Sequence, residues 1–160
     1  MAVKNRINEM GNDQRSSKIT GDFGRIAVMH WLSKHGYHVA KVDFTGIDLI
    51  AYNRKTKERL GIVVKTCSYP CGKSGISVAL PARKDVFDAC AAFACMPYIV
   101  LIVDTAQKHN KVKFYLLPWS EMANIRIKGE KKCWLIKNKF IEQNKTNPKI
   151  KKIVFSFGQE

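Results

Sequence analysis

Acid is scarce in this chain. Its 160 residues carry 13 Asp and Glu against 28 Lys and Arg, a formal net charge of +15. An excess of that size attracts polyanions over a Debye length of about 10 Å, so nucleic acid is the first partner to consider and a membrane surface the second. Cysteine is sparse and odd in number. Cys67, Cys71, Cys90, Cys95 and Cys133 contain no CxxC pair, which argues against a disulfide framework or a zinc ribbon and for reduced thiols in a cytoplasmic setting. Cys67 and Cys71 with Cys133 lack a fourth metal ligand at a customary spacing. Long apolar runs are missing too. The longest, Ala89 to Val103, is interrupted by Pro97 and falls short of the roughly 20 residues of a membrane span, and the polar N-terminus does not read as a signal peptide. No GxSxG, Walker or GxGxxG pattern occurs, so the loops those motifs build are not expected.

What is present suits one small globular domain: 46% hydrophobic and 26% charged residues, enough apolar material for a core. Residues 1–20 mix charge with Asn, Ser and Gly and read as a flexible basic arm carrying Lys4, Arg6, Arg15 and Lys18. Residues 21–160 read as a single α/β domain with a basic C-terminal extension. From Asp22, "DFGRIAVMHWLSKHG" sets Phe23, Ile26, Ala27, His30 and Trp31, with Val28 and Leu32, at helical spacings, and Gly36 follows as a stop. "YHVAKVDF", "DLIAYN" and "RLGIVVKTCS" read as three strands, the last two forming a hairpin around "RKTKE"; "GISVALP" offers a fourth. "ARKDVFDACAAFAC" predicts a second helix ended by Pro97. "YIVLIVDT" and "KVKFYLLP" are strongly β-prone, "PWSEMAN" predicts a short helix capped by Ser120, and "KIKKIVFSF" a last strand. This order predicts a mixed central sheet flanked by helices.

The hairpin raises a chemical question, because each of its apolar strands carries one opposite charge. Asp48 opens one strand and Lys65 lies near the end of the other, so pairing through residues 54–58 brings both to one sheet margin. Alternation places Val63 and Lys65 on one face and Ile62 and Val64 on the other, with Lys65 leaving the hydrophobic side. From the hairpin alone this reads as a structural ion pair ahead of a chemical site.

The segment "TGDFGRIAVMHWLSKHGYHVAKVDFTGIDLIAYNRKTKERLGIVVKT" resembles the core of the PD-(D/E)XK nuclease superfamily, the restriction-endonuclease and Holliday-junction-resolvase fold, in its helix, "GY.V", "G.DL.AYN" and a strand ending in "VKT". The resemblance runs from about Gly21 to Pro118. It implies a restriction-endonuclease-like α/β fold and phosphodiester cleavage with Mg²⁺ or Mn²⁺ held by Asp48, while Lys65 activates water and steadies the phosphate. Two positions depart from the pattern. Val63 stands where a second acid or Gln is expected, and Arg25 where many relatives place a glutamate on the first helix. Asp22, one helical turn before Arg25, or Asp85 or Asp88 on the second helix would have to supply a migrated carboxylate; otherwise these three serve helix termini.

Two other readings stand beside an active endonuclease. A scaffold that keeps its nucleic-acid surface but has weakened or lost its metal chemistry would need no cofactor and would place Arg25 and Lys65 against phosphate. A protein-interaction module of a phage or mobile element would turn the positive surface toward an acidic protein. In the tail, Lys128, Lys131, Lys132, Lys137 and Lys139 interleave with Trp134, Phe140, Phe155 and Phe157 and are candidates for nucleic-acid contact, DNA first. A homodimer is compatible with this fold, although no segment identifies a dimer face.

Overall fold

The structure is a computed structural model that describes residues 14–68, 76–104, 111–122, 125–128, 131–136 and 147–156. Its elements are α1 (Gln14–Lys34), β1 (Tyr37–Phe44), β2 (Ile47–Asn53), β3 (Arg59–Ser68), β4 (Ile76–Ala79), α2 (Arg83–Ala92), β5 (Met96–Asp104), β6 (Lys111–Pro118), β7 (Ile125–Lys128), β8 (Lys131–Ile136) and β9 (Lys151–Ser156), with a 3-10 turn at Trp119–Glu121. Among the described residues the strands form a six-stranded sheet in the order β1-β2-β3-β5-β6-β9 and a three-stranded sheet in the order β4-β8-β7.

The large sheet is mixed because its connections differ in length. Short turns join β1 to β2 and β2 to β3, both antiparallel, whereas α2 intervenes before β5 and allows it to lie parallel to β3. Strands β5, β6 and β9 continue antiparallel. The two central strands are buried on both faces, which accounts for the uninterrupted apolar runs of "GIVV" and "IVLIV". On one face α1 sets Val28 and Leu32 against Leu49, Ile62, Val64, Val100, Ile102 and Phe114; on the other α2 sets Val86, Ala89 and Cys90 against Ile47, Val63, Ile99, Leu101 and Leu117. Each fully covered Leu or Ile contributes about 1.5–3 kcal/mol relative to exposure. At one outer edge, β9 presents the exposed Lys151 and Lys152, charges that disfavour pairing with another strand.

Several expectations change. Helix α1 starts at Gln14 rather than Asp22, so residues 14–20 are helical; the earlier part of the expected arm lies outside the described residues. Asp22 therefore sits in mid-helix and caps nothing. The buried stripe of α1 runs through Gly24, Val28 and Leu32, while Phe23 and Ile26 are exposed: the apolar residues exceed what one helix face can bury. Pro97 lies inside β5, and α2 ends earlier through Phe93 and Ala94, the latter with φ of 51°. Ser120 lies within the 3-10 turn, whose N-terminal flank is Pro118 with no side-chain cap. Strands β7 and β8 were not anticipated. Lastly, Val63 does not share its face with solvent. It is 2% exposed against α2, and Lys65, two residues further along β3, is half-buried rather than on an open face.

Candidate functional site

The charged cluster forms where β2 and β3 part. Paired register between them ends at Leu49 with Ile62. Beyond it the Asp48 side chain takes the place of the missing strand neighbour: its Oδ2 accepts a hydrogen bond from the Val64 N–H at 2.8 Å. The turn that delivers Asp48 contains Gly46 at φ of 106°. A Cβ there would stand 2.3 Å from the Asp85 carbonyl oxygen, so only glycine allows the turn to sit against the first turn of α2.

Helix α1 supplies the cation. Arg25 Nη1 lies 3.6 Å from Asp48 Oδ1, within ion-pair range but too long for a hydrogen bond, while its Nη2 donates to Asp22 Oδ1 at 2.5 Å. One guanidinium thus stands between two carboxylates, a role its planar fork permits. The hydrogen bond from Arg25 holds the Asp22 carboxyl below the usual aspartate value. Helix α1 comes this close because Gly24 faces β3 and β5: a Cβ there would lie 2.5 Å from Ile102 Cδ1 and 2.8 Å from Thr66 Oγ1. The Arg25 Nε and Thr66 Oγ1 atoms are buried without a hydrogen-bond partner among the described residues.

Lys65 is half-buried on β3, directly after the Val64 whose N–H holds Asp48, and has no ion-pair partner among the described residues. The hairpin therefore places the Asp48 carboxylate and the Lys65 backbone at the same margin. Asp85 is half-buried beside Gly46, and Asp88 is exposed and paired with Lys84. Lys128 and Lys131 are register partners on β7 and β8, with Lys132 opposite Ile127; Lys137 and Lys139 lie outside the described residues. Sequence reasoning missed Thr66 and Gly24. The small residue one turn before Val28 was the available signal for the second.

A hard divalent ion such as Mg²⁺ needs several oxygen ligands. Here one Asp48 oxygen is taken by a backbone N–H, the other faces a guanidinium, and Val63 offers no lone pair and points into the core. Among the described residues no three Asp, Glu, His or Cys side chains gather as a metal-binding group. Among the described residues the donor set around Asp48 does not fit the ion. What it can do is hold Asp48 and Arg25 together at the margin of the sheet where the backbone of β3 continues into Lys65.

No protein-family model matches the sequence, and no curated protein matches it. Among solved structures, the chain is similar to Hjc of Archaeoglobus fulgidus, a Holliday junction resolvase from an archaeal hyperthermophile, with a TM-score of 0.51 and 18% identity over 74% of this chain and 91% of that one. That likeness and the mixed six-stranded sheet establish a restriction-endonuclease-like α/β fold. Among the described residues no helix is long and apolar enough to cross a membrane.

Proposed function

We propose that this chain is a nucleic-acid-binding protein on a nuclease-like scaffold whose metal-dependent phosphodiester cleavage is weakened or lost. The observation that carries this reading is the engagement of Asp48 by Val64 N–H and Arg25, at the position where the resemblance calls for a metal-bound carboxylate. Lys65, which follows the Val64 that holds Asp48 and has no ion-pair partner among the described residues, and the net charge of +15 supply the attraction for phosphate. Contacts of this kind position a strand without reading its sequence. Arg25 acts mainly as the tie that keeps Asp48 in place, because its guanidinium already serves two carboxylates.

Mobility-shift titrations with duplex, single-stranded and branched DNA test the reading, with DNA the expected partner ahead of RNA. Affinity should fall steeply with salt, Lys65→Ala should weaken binding, and no product should accumulate in Mg²⁺ or Mn²⁺. Salt-insensitive binding, or none, would reject it. One arrangement favours an active endonuclease as a second reading: Asp22 and Asp48 flank the same guanidinium, so swinging Arg25 away would leave two carboxylates around one cation position. Cleavage in Mn²⁺ that disappears in both Asp22→Asn and Asp48→Asn would establish that alternative.

A further inference from the structure

On the α2 face of the sheet, away from the α1 cation, lies a pocket of about 560 Å³ whose walls include Arg83, Phe87, Met96, Tyr98, Trp119 and Ser120. Its size falls within the roughly 300–1,000 Å³ range of ligand sites. Trp119 is 6% exposed and forms fixed wall, whereas Phe87 and Met96 remain 39% and 44% exposed. Phe87 meets Trp119 edge to face, with ring centroids 6.4 Å apart and planes at 87°. The Arg83 guanidinium carbon lies 4.9 Å from the Phe87 ring centroid.

This is more than leftover apolar surface. An exposed aromatic wall standing on a second, buried ring offers a surface for a flat group, and the guanidinium over the Phe87 ring puts a positive charge against that wall. A ligand that satisfies both has a flat π-face and an anionic group attached to it. The exposed Ser120 hydroxyl adds a polar group at the rim that can donate or accept. An unpaired nucleotide combines these features: its base stacks on aromatic rings whatever its identity, and its phosphate meets the guanidinium. Position also favours such a ligand, since the first turn of α2 both carries Arg83 and packs, through the Asp85 carbonyl, against the Gly46 turn that delivers Asp48.

We propose that the Arg83–Phe87–Trp119 pocket receives the base of an unpaired nucleotide from a nucleic-acid strand bound to this protein. The proposal rests on the nucleic-acid reading above and adds a preference for substrates with an unstacked base. It predicts that a DNA duplex carrying one unpaired 2-aminopurine binds about tenfold more tightly than the same duplex with an abasic residue at that position, and that 2-aminopurine emission falls on binding. Phe87→Ala should abolish the preference and the quenching while leaving affinity for the fully paired duplex unchanged. Ser120→Trp, which fills the mouth from an exposed position and spares the core, should do the same and guards against a Phe87 variant that fails to fold. Equal affinity for base and abasic duplexes, or a preference that survives both variants, overturns the pocket and leaves it to an apolar side chain of a partner protein. Failure to bind any of the three duplexes overturns the nucleic-acid reading along with it.

Discussion

Two helices of this protein carry an oppositely charged pair one turn apart, Asp22–Arg25 on α1 and Lys84–Asp88 on α2, each closing at 2.5 Å. Their settings differ. The α2 pair is mostly exposed and belongs to its helix alone, with side chains 83% and 62% accessible. The α1 pair is joined by Asp48 from β2, and through Asp48 to the backbone of β3. A guanidinium can face two carboxylates with separate nitrogens, while an ammonium is a single compact charge. An ion pair of the same charges and length therefore decorates one helix and, in the other, ties a helix to the point where two strands separate. That second arrangement resembles a metal-bridged cleft in which the bridging cation is a side chain.

The comparison breaks most visibly at Asp48. Asp48→Ala removes the acceptor of a half-buried backbone N–H and should cost about 2–3 kcal/mol in urea unfolding. Asp48→Asn keeps an oxygen for Val64 while losing the charge facing Arg25, and should cost about 1 kcal/mol. Equal costs for the two variants would mean that Val64 does not depend on this side chain. Next comes Arg25→Glu, which replaces the cation by a third carboxylate between Asp22 and Asp48. Calorimetric titration with Mn²⁺ should then show binding at least about tenfold tighter than in the parent chain, in keeping with the oxygen-rich sites such ions need. Unchanged Mn²⁺ affinity in a folded variant would show that the space between these carboxylates cannot receive an ion.

How much of this could be read from the residues depends on the range of the contact involved. The β2–β3 hairpin was legible from alternation and a polar turn, and just beyond its last paired residues the Asp48 side chain reaches the Val64 N–H. The buried run of β5 was equally plain. The surroundings of Val63 were not, because local alternation is silent about what covers a face; the parallel β3–β5 pairing and α2 bury it from a distance in sequence. Gln14 to Thr20 carries too little apolar periodicity to announce a helix, yet continues α1. Arg25 and Asp22 were visible as neighbours on one helical face, but their meeting with Asp48 required the close approach at Gly24. The aromatic pocket draws on α2, β5 and the Trp119 turn, which no sequence window contains together.

The smallest expected effect lies in the exposed pair, and its pH dependence sharpens the contrast. The hydrogen bond from Arg25 depresses the Asp22 pKa, so the stability it confers is complete above the unfolded-state value near 3.8 and is lost as pH falls through the lower folded value. The hydrogen bond to Asp88 raises the Lys84 pKa, so that contribution is complete below the unfolded value near 10.5 and is lost as pH rises through the higher folded one. Asp22→Asn should therefore flatten the acid limb of a urea-midpoint profile, below about pH 4, and leave the alkaline limb as it was. Lys84→Ala should leave the midpoint at pH 7 unresolved from the parent, since solvent and salt screen a pair so exposed, and should change only the alkaline limb slightly. If the Lys84 variant instead moved the neutral midpoint as far as Asp48→Asn does, exposure would not be what separates the two pairs, and the Asp48 carboxylate and the strand N–H would lose their claim to make the α1 cluster structural.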